Sequence, residues 1–138
     1  MAAGGIIDEI ASRDYAAVLR TNEAKMNRDT VIVFTRNGMG SGPIELQQKL
    51  VVKLLALTLE SGQLPAKLLF YTDGVKLACA GSPVLDLLRQ YEQKGVELVL
   101  CSTCLDFYGL SGQVQAGVVG GMGDILEALQ KATRVISV

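Results

Sequence analysis

Short apolar runs alternate with longer amphipathic segments from residue 30 onward. The apolar runs have the length and β-branched content of strands, and lie at 31–34, 67–71, 96–100, 113–119 and 134–138. Helical spacing of apolar residues marks the segments at 43–60, at 83–94 and from 124 onward. This alternation predicts an α/β fold, a three-layer α/β/α sandwich around a mostly parallel five-stranded sheet.

Residues 1–29 stand apart from that alternation. Ile7, Ile10, Tyr15 and Val18 recur at helical spacing, and a polar connector follows them. We therefore predict an N-terminal helix or arm with a connector over residues 1–29, and one α/β domain over residues 30–138.

The helix predicted over 43–60 is apolar around an unusually broad arc. Its apolar positions are Ile44, Leu46, Leu50, Val51, Leu54, Leu55, Leu57 and Leu59. One face of a sheet needs a narrower stripe than this. The surplus covers either a neighbouring helix or a second copy of the chain, and we expect a homo-oligomer.

Composition and charge exclude several functions. The 138 residues carry a net charge of −1, and no cluster of Lys and Arg suggests binding to nucleic acid. No basic, apolar leader and no apolar stretch of membrane length is visible, so we expect a cytoplasmic protein without membrane contact. The sequence has no histidine, which removes every Cys-His, Ser-His and His-metal arrangement within one chain.

The candidate chemistry lies in two cysteines at the end of the third apolar run. Cys101 ends that run, and Cys104 follows at the start of a predicted helical turn. The carboxyl ends of strands are where open α/β sheets bind ligands. Unpaired N–H groups at a helix start favour a thiolate, which can attack a sulfane sulfur and hold it as a persulfide. Cys104 could accept that sulfur, resolve it into a disulfide, or take no part.

Loops after the other strands are expected at the same edge of the sheet. One of them is rich in glycine over 38–42, but no Lys-Ser/Thr pair follows it, so it resembles a tight turn more than a phosphate cradle. The candidate catalytic residues are Cys101 and Cys104. The candidate substrate-binding residues are Arg36, Asn37, Gly38, Asp73, Gly74, Lys76, Thr103 and Met122.

Three other interpretations of the thiols stay open. A zinc site would need four ligands, and the two cysteines with Cys79 supply only three. A thioredoxin-like redox pair has the C-x-x-C spacing but a different order of elements. Packed cysteines without chemistry are the third interpretation, and Cys79 fits it as a small buried apolar residue.

The sequence resembles the DsrE/DsrF-like family, and in particular the C-terminal domain of YedF-type sulfurtransferase-like proteins of selenium metabolism. The matching segments are 39–42, 69–71, 74–77, 81–85, 95–97, 101–110 and 134–136. The specific part is Cys-Ser-Thr-Cys-Leu-Asp-Phe-Tyr-Gly over residues 101–109.

The resemblance implies a parallel-sheet α/β fold and homo-oligomers, often trimers or hexamers. We expect a dimer, trimer or hexamer, sulfur donor and acceptor proteins as partners, and no metal or other cofactor. Cys101 matches the family's persulfide-carrying position, whereas Cys104 belongs to the YedF-type pattern alone. We therefore expect a sulfur-relay protein, more carrier than turnover enzyme. The alternatives are a small-ligand-binding module and a structural oligomer subunit without thiol chemistry.

Overall fold

The computed structural model describes residues 29–138, so the helix and connector expected before residue 29 lie outside the described part. Five parallel strands form one sheet in the order β4-β3-β2-β1-β5. They are β1 (Thr30–Phe34), β2 (Lys67–Phe70), β3 (Glu97–Cys101), β4 (Val118–Gly120) and β5 (Arg134–Ser137). The predicted parallel five-stranded sheet is confirmed.

Four α-helices and one 3₁₀ helix connect these strands. They are α1 (Ile44–Ser61), the 3₁₀ helix Thr72–Ala78, α2 (Leu85–Gln93), α3 (Ser102–Tyr108) and α4 (Met122–Lys131). α1 packs beside α2, and the buried Tyr91 of α2 donates its hydroxyl to the carbonyl of Leu55 of α1 at 2.7 Å.

Helices cover both faces of the sheet. Ile32 of β1 lines a cavity with Leu54 of α1, and the preceding Val31 lines another with Ala128 of α4. Because successive strand residues point to opposite faces, α1 and α4 lie on opposite sides of the sheet. All five residues of β1 are buried, as expected for an inner strand covered on both faces.

The carboxyl ends of the strands meet at one edge, where the 3₁₀ helix crosses β1 closely. The N–H of Tyr71 donates to the carbonyl of Phe34 at 3.1 Å, and the rings of Phe34 and Phe70 stack with centroids 5.1 Å apart. Gly74 lies directly against the Phe34 carbonyl, where any Cβ would overlap the oxygen. The absence of a side chain at Gly74 is therefore what lets this helix start over the strand end.

Two local predictions need correction. The strand predicted over 113–119 is only Val118–Gly120, because Val114 instead forms an isolated antiparallel bridge with Cys79. The helix predicted from residue 124 onward begins two residues sooner, at Met122.

The broad apolar arc of α1 is only partly used within the described residues. Val51 and Leu55 are buried in the core. Large apolar side chains of the same helix lie exposed at Leu46, Leu50 and Leu57, and Ile44 is exposed at the start of the core-facing side. The arc therefore supplies one core stripe and leaves a second, uncovered stripe of Leu46, Leu50 and Leu57.

Candidate functional site

Cys101 ends β3 and lies just beneath the surface of the carboxyl edge. Its strand carries four consecutive buried residues, and the Cys101 side chain is 1% exposed. Its backbone precedes the first turn of α3, as the sequence predicted. A partner molecule approaching this edge therefore cannot touch Cys101 first.

Cys104 is the thiol that reaches the surface. It lies in α3, is half-buried, and accepts a hydrogen bond from the backbone N–H of Thr72 at 3.1 Å between N and Sγ. An N–H directed at sulfur favours the anionic thiolate over the thiol. The cysteine that sequence reasoning left without a definite role thus has the more accessible sulfur and a built hydrogen-bond donor.

Thr72 holds that donor in an unusual backbone conformation. Its φ of 49° is the single positive value among non-glycine residues of the described chain. A side chain in this region costs roughly 1–2 kcal/mol. The Thr72 hydroxyl lies 2.7 Å from the carbonyl oxygens of both Thr35 and Tyr71, which tie the strained residue to the end of β1.

The two thiols interact with each other. Burial is the largest cause that raises the pKa of Cys104, the hydrogen bond with the Cys101 side chain raises it further, and the N–H of Thr72 opposes both. The two sulfur atoms therefore lie close enough to interact.

A second polar group lies one helical turn from Cys104. Tyr108 donates its hydroxyl in a short hydrogen bond to Asp73, whose carboxylate is also 3.3 Å from the ammonium of Lys76. The Tyr108 hydrogen bond, followed by Lys76, lowers the pKa of Asp73, and the same bond raises the pKa of Tyr108. Lys76 Nζ lies 4.4 Å from the centroid of the Tyr108 ring. The group joins α3 to the 3₁₀ helix.

A cavity of about 410 Å³ opens beside this group. Lys76 and Tyr108 form one wall, and polar side chains from the β1 loop, α1 and the segment after Cys79 complete it, namely Asn37, Gln48 and Ser82. Neither Cys101 nor Cys104 lines the cavity. Its walls come from the loop after β1, α1, the 3₁₀ helix, the segment 79–83 and the end of α3, and the loop after β4 takes no part.

Cys79 lines the cavity at the side that lies toward the core. The residue is 2% exposed, and its Sγ donates to the carbonyl of Val75 at 3.3 Å. Burial raises the pKa of the Cys79 thiol. These surroundings keep the thiol protonated and hold it as part of the core.

A profile of the DsrE/DsrF-like family matches residues 29–138. The chain belongs to the DsrE/DsrF-like family. A search of curated proteins found no significant match.

Solved structures share the fold of this DsrE/DsrF-like chain at low sequence identity. The ychN protein from E. coli aligns with a TM-score of 0.61 and 20% identity, over 80% of this chain and 99% of that one. Protein BT1422 of unknown function from Bacteroides thetaiotaomicron gives 0.58 and 15% over 80% and 95%. Protein MTH1491 of unknown function from Methanobacterium thermoautotrophicum gives 0.54 and 18% over 80% and 100%. These similarities concern the fold alone.

The predicted site residues separate into three groups. Cys101, Cys104, Asp73 and Lys76 come together around α3 and the 3₁₀ helix, and Asn37 faces the adjoining cavity. Gly38 and Gly74 have no side chain and allow neighbouring segments to approach closely. A Cβ on Gly38, for example, would lie 2.5 Å from the Cβ of Gln47. The third group of candidates is exposed and does not line the cavity: Arg36, Thr103 and Met122.

Thr72 and Tyr108 are the contributors that the sequence analysis missed. Tyr108 lies four residues after Cys104, a spacing that places both side chains on one face of a helix and could have revealed it. Nothing in the sequence signals the conformation of Thr72.

Two further observations limit the chemistry of the described part. Between residues 29 and 138, no three His, Cys, Asp or Glu side chains are grouped to hold a metal ion. No helix in the same range has the length and apolarity needed to cross a membrane.

Proposed function

We propose that this DsrE/DsrF-like protein relays sulfane sulfur, holding it as a persulfide on the Cys101–Cys104 pair before passing it to a protein partner. The observation that carries the proposal is the contact of two thiols at the carboxyl edge, with the N–H of Thr72 donating to the sulfur of the exposed one. A specific relationship to YedF-type proteins is part of this proposal, because the resemblance to them depends on Cys104.

Cys104 is the sulfur atom at which transfer begins. Its thiolate attacks the outer sulfur of a donor persulfide, the donor S–S bond breaks, and the donor thiolate leaves with the electron pair. The proton released by Cys104 ends on that leaving thiolate. The N–H of Thr72 can stabilise negative charge on Cys104 before the attack and on its return as a leaving group.

Cys101 then holds the sulfur away from solvent. Its thiolate attacks the outer sulfur of the Cys104 persulfide, which forms a persulfide on Cys101 and releases the Cys104 thiolate. With a side chain 1% exposed, Cys101 protects the persulfide from soluble thiols, and the reverse step returns the sulfur to Cys104.

Exposed apolar side chains favour protein contacts at and away from this site. Phe107 lies in α3 between Asp106 and Tyr108 and is 84% exposed. A large exposed aromatic ring next to the thiols is a plausible anchor for a sulfur-exchanging protein. The uncovered stripe of α1 supports the expectation of a homo-oligomer.

Mass spectrometry of the intact chain after treatment with inorganic polysulfide tests the relay. We expect the wild type and the control variant Cys79→Ser each to gain one sulfur, about 32 Da. Cys104→Ser should load more slowly, and Cys101→Ser should load but lose its sulfur quickly to added thiol. Equal loading and retention in the double variant of Cys101 and Cys104 would sink the proposal.

A small-ligand-binding module without thiol chemistry is the second candidate, favoured by the 410 Å³ cavity. It predicts that a metabolite raises the melting temperature of the doubly substituted Cys101→Ser, Cys104→Ser chain as much as that of the wild type. Sulfur loading should then be absent from the wild type.

A further inference from the structure

We infer that the cavity beside the thiols binds the acidic part of a small sulfur donor, a low-molecular-weight persulfide that carries a carboxylate. The inference rests on the proposed relay and adds the class of molecule that loads it. Its structural basis is the shape of the cavity, the charge of its lining and the position of Cys104.

The shape of the cavity suits a small molecule. Its volume of about 410 Å³ lies within the usual range for small-ligand sites, roughly 300–1,000 Å³. The space extends inward as far as the buried Cys79.

The lining of the cavity favours an anion. Lys76 is the charged side chain among the described residues that line it, and no carboxylate does so. The ammonium has three N–H donors, of which the bond to Asp73 occupies one. Ser82 accepts the N–H of Val84 at its Oγ, so its own hydroxyl hydrogen is left for a ligand.

Two amide side chains add donors on the opposite wall. Gln48 donates one amide hydrogen to the backbone carbonyl of Asn37 at 3.3 Å, and its second amide hydrogen can bind a ligand. The side chain of Asn37 carries two more. A ligand carboxylate can therefore share the Lys76 ammonium with Asp73, and the neutral donors of Gln48, Asn37 and Ser82 complete its surroundings.

The reacting sulfur lies within reach of this cavity. Tyr108 lines it and follows Cys104 by one turn of α3, so the two side chains are separated by about 5–6 Å between Cβ atoms. The 3₁₀ helix spans both places, because Thr72 donates to Cys104 while Lys76 faces the cavity. A persulfide anchored at Lys76 extends its outer sulfur past Tyr108 to Cys104.

The transfer step balances without any other reactant. Cys104 loses its proton and attacks the outer sulfur of the bound R–S–SH, forming a persulfide on Cys104. The S–S bond of the donor breaks, and R–S⁻ leaves with the electron pair and takes the proton as R–SH. No net oxidation occurs, since sulfane sulfur only changes its thiol partner.

Loading rates with two matched donors test the inference on the full chain. The donors are glutathione persulfide and the same molecule with both carboxylates esterified. We expect the wild type to load from the acid at least roughly fivefold faster than from the ester. Lys76→Gln and Gln48→Leu should reduce that preference, Lys76→Arg should retain it, and the remote Lys94→Gln should leave it unchanged.

The outcomes separate this inference from the relay itself. Equal loading from acid and ester, or an acid preference that survives Lys76→Gln and Gln48→Leu together, would overturn the role of the cavity while leaving the relay intact. If neither donor places sulfur on Cys101 or Cys104, the relay fails and the inference falls with it.

Discussion

Cys79 and Cys104 contact opposite ends of one short segment, and their sulfur atoms have opposite hydrogen-bonding roles. At the start of the 3₁₀ helix, the N–H of Thr72 donates to Cys104 Sγ. After its end, Cys79 Sγ donates to the carbonyl of Val75. A donor directed at sulfur favours a thiolate, whereas an acceptor facing it needs the proton. Burial raises the pKa of both thiols, and only Cys104 has an N–H that opposes this rise, so the backbone that each sulfur faces distinguishes the more reactive thiol from the structural one.

Gly74→Ala is the change expected to disrupt this contrast most. It lies between the two contacts, and a Cβ there would overlap the carbonyl oxygen of Phe34, so the 3₁₀ helix must shift. We expect a loss of at least about 2 kcal/mol in the free energy of unfolding, measured with urea. Gly112→Ala is the matched control, because no atom lies within 4 Å of its added Cβ. Similar stability of both variants would show that the close approach is not needed.

Alkylation of the native chain measures the contrast directly. Cys104 should react at least roughly 100-fold faster than Cys79, because Cys79 is 2% exposed and reacts only after local opening. Peptide-resolved mass spectrometry after timed addition of iodoacetamide gives both rates, and the urea-unfolded chain provides the reference for equal access. Comparable native rates would refute the assignment of Cys79 to the core.

Replacing Cys101 tests its effect on the pKa and the reactivity of Cys104. The pKa of Cys104 is raised by burial and then by Cys101, so its thiolate fraction at neutral pH is low and its reactivity should still rise above about pH 8.5. Cys101→Ala removes the second cause, which lowers the pKa and increases the alkylation rate at pH 7 by roughly threefold to tenfold. A slower rate at pH 7 would mean that Cys101 activates its neighbour.

The smallest effect concerns the strain at Thr72. Thr72→Ala and Thr72→Gly both lose the hydroxyl contacts with Thr35 and Tyr71, but only glycine accepts a φ of 49° without cost. The glycine variant should therefore be the more stable by about 1 kcal/mol, again by urea unfolding. An alanine variant of equal or greater stability would show that the conformation carries no strain.

The sheet and the thiol edge were predictable from the sequence because both depend on local patterns. The apolar run that ends at Phe34 leads into a loop and the run that ends at Cys101 leads directly into α3, and strand-helix alternation brings such strand ends to one edge. The weak run at 113–119 was not predictable, since its pairing depends on Cys79, 35 positions before Val114. A bridge between residues so far apart leaves no periodic pattern of apolar residues in the sequence.

The relative exposure of the two thiols could not be predicted from the sequence. Apolar spacing identifies Cys101 as the strand end, but it does not show that α3 turns Cys104 outward and leaves Cys101 beneath it. The hydrogen bond from Thr72 depends on a left-handed backbone at a residue that rarely adopts it. Tertiary packing set both features.

The most direct test of the relay is to locate the sulfur in the wild-type chain. The protein is loaded with polysulfide, freed of excess donor and divided into two samples, of which one is challenged with thiol. Both are then unfolded, capped with iodoacetamide and digested for peptide mass spectrometry. The account predicts the additional sulfur, about 32 Da, in the peptide that contains residues 101–104, and mainly on Cys101 after thiol challenge. Sulfur found on Cys79, or on no cysteine of the folded chain, would contradict it.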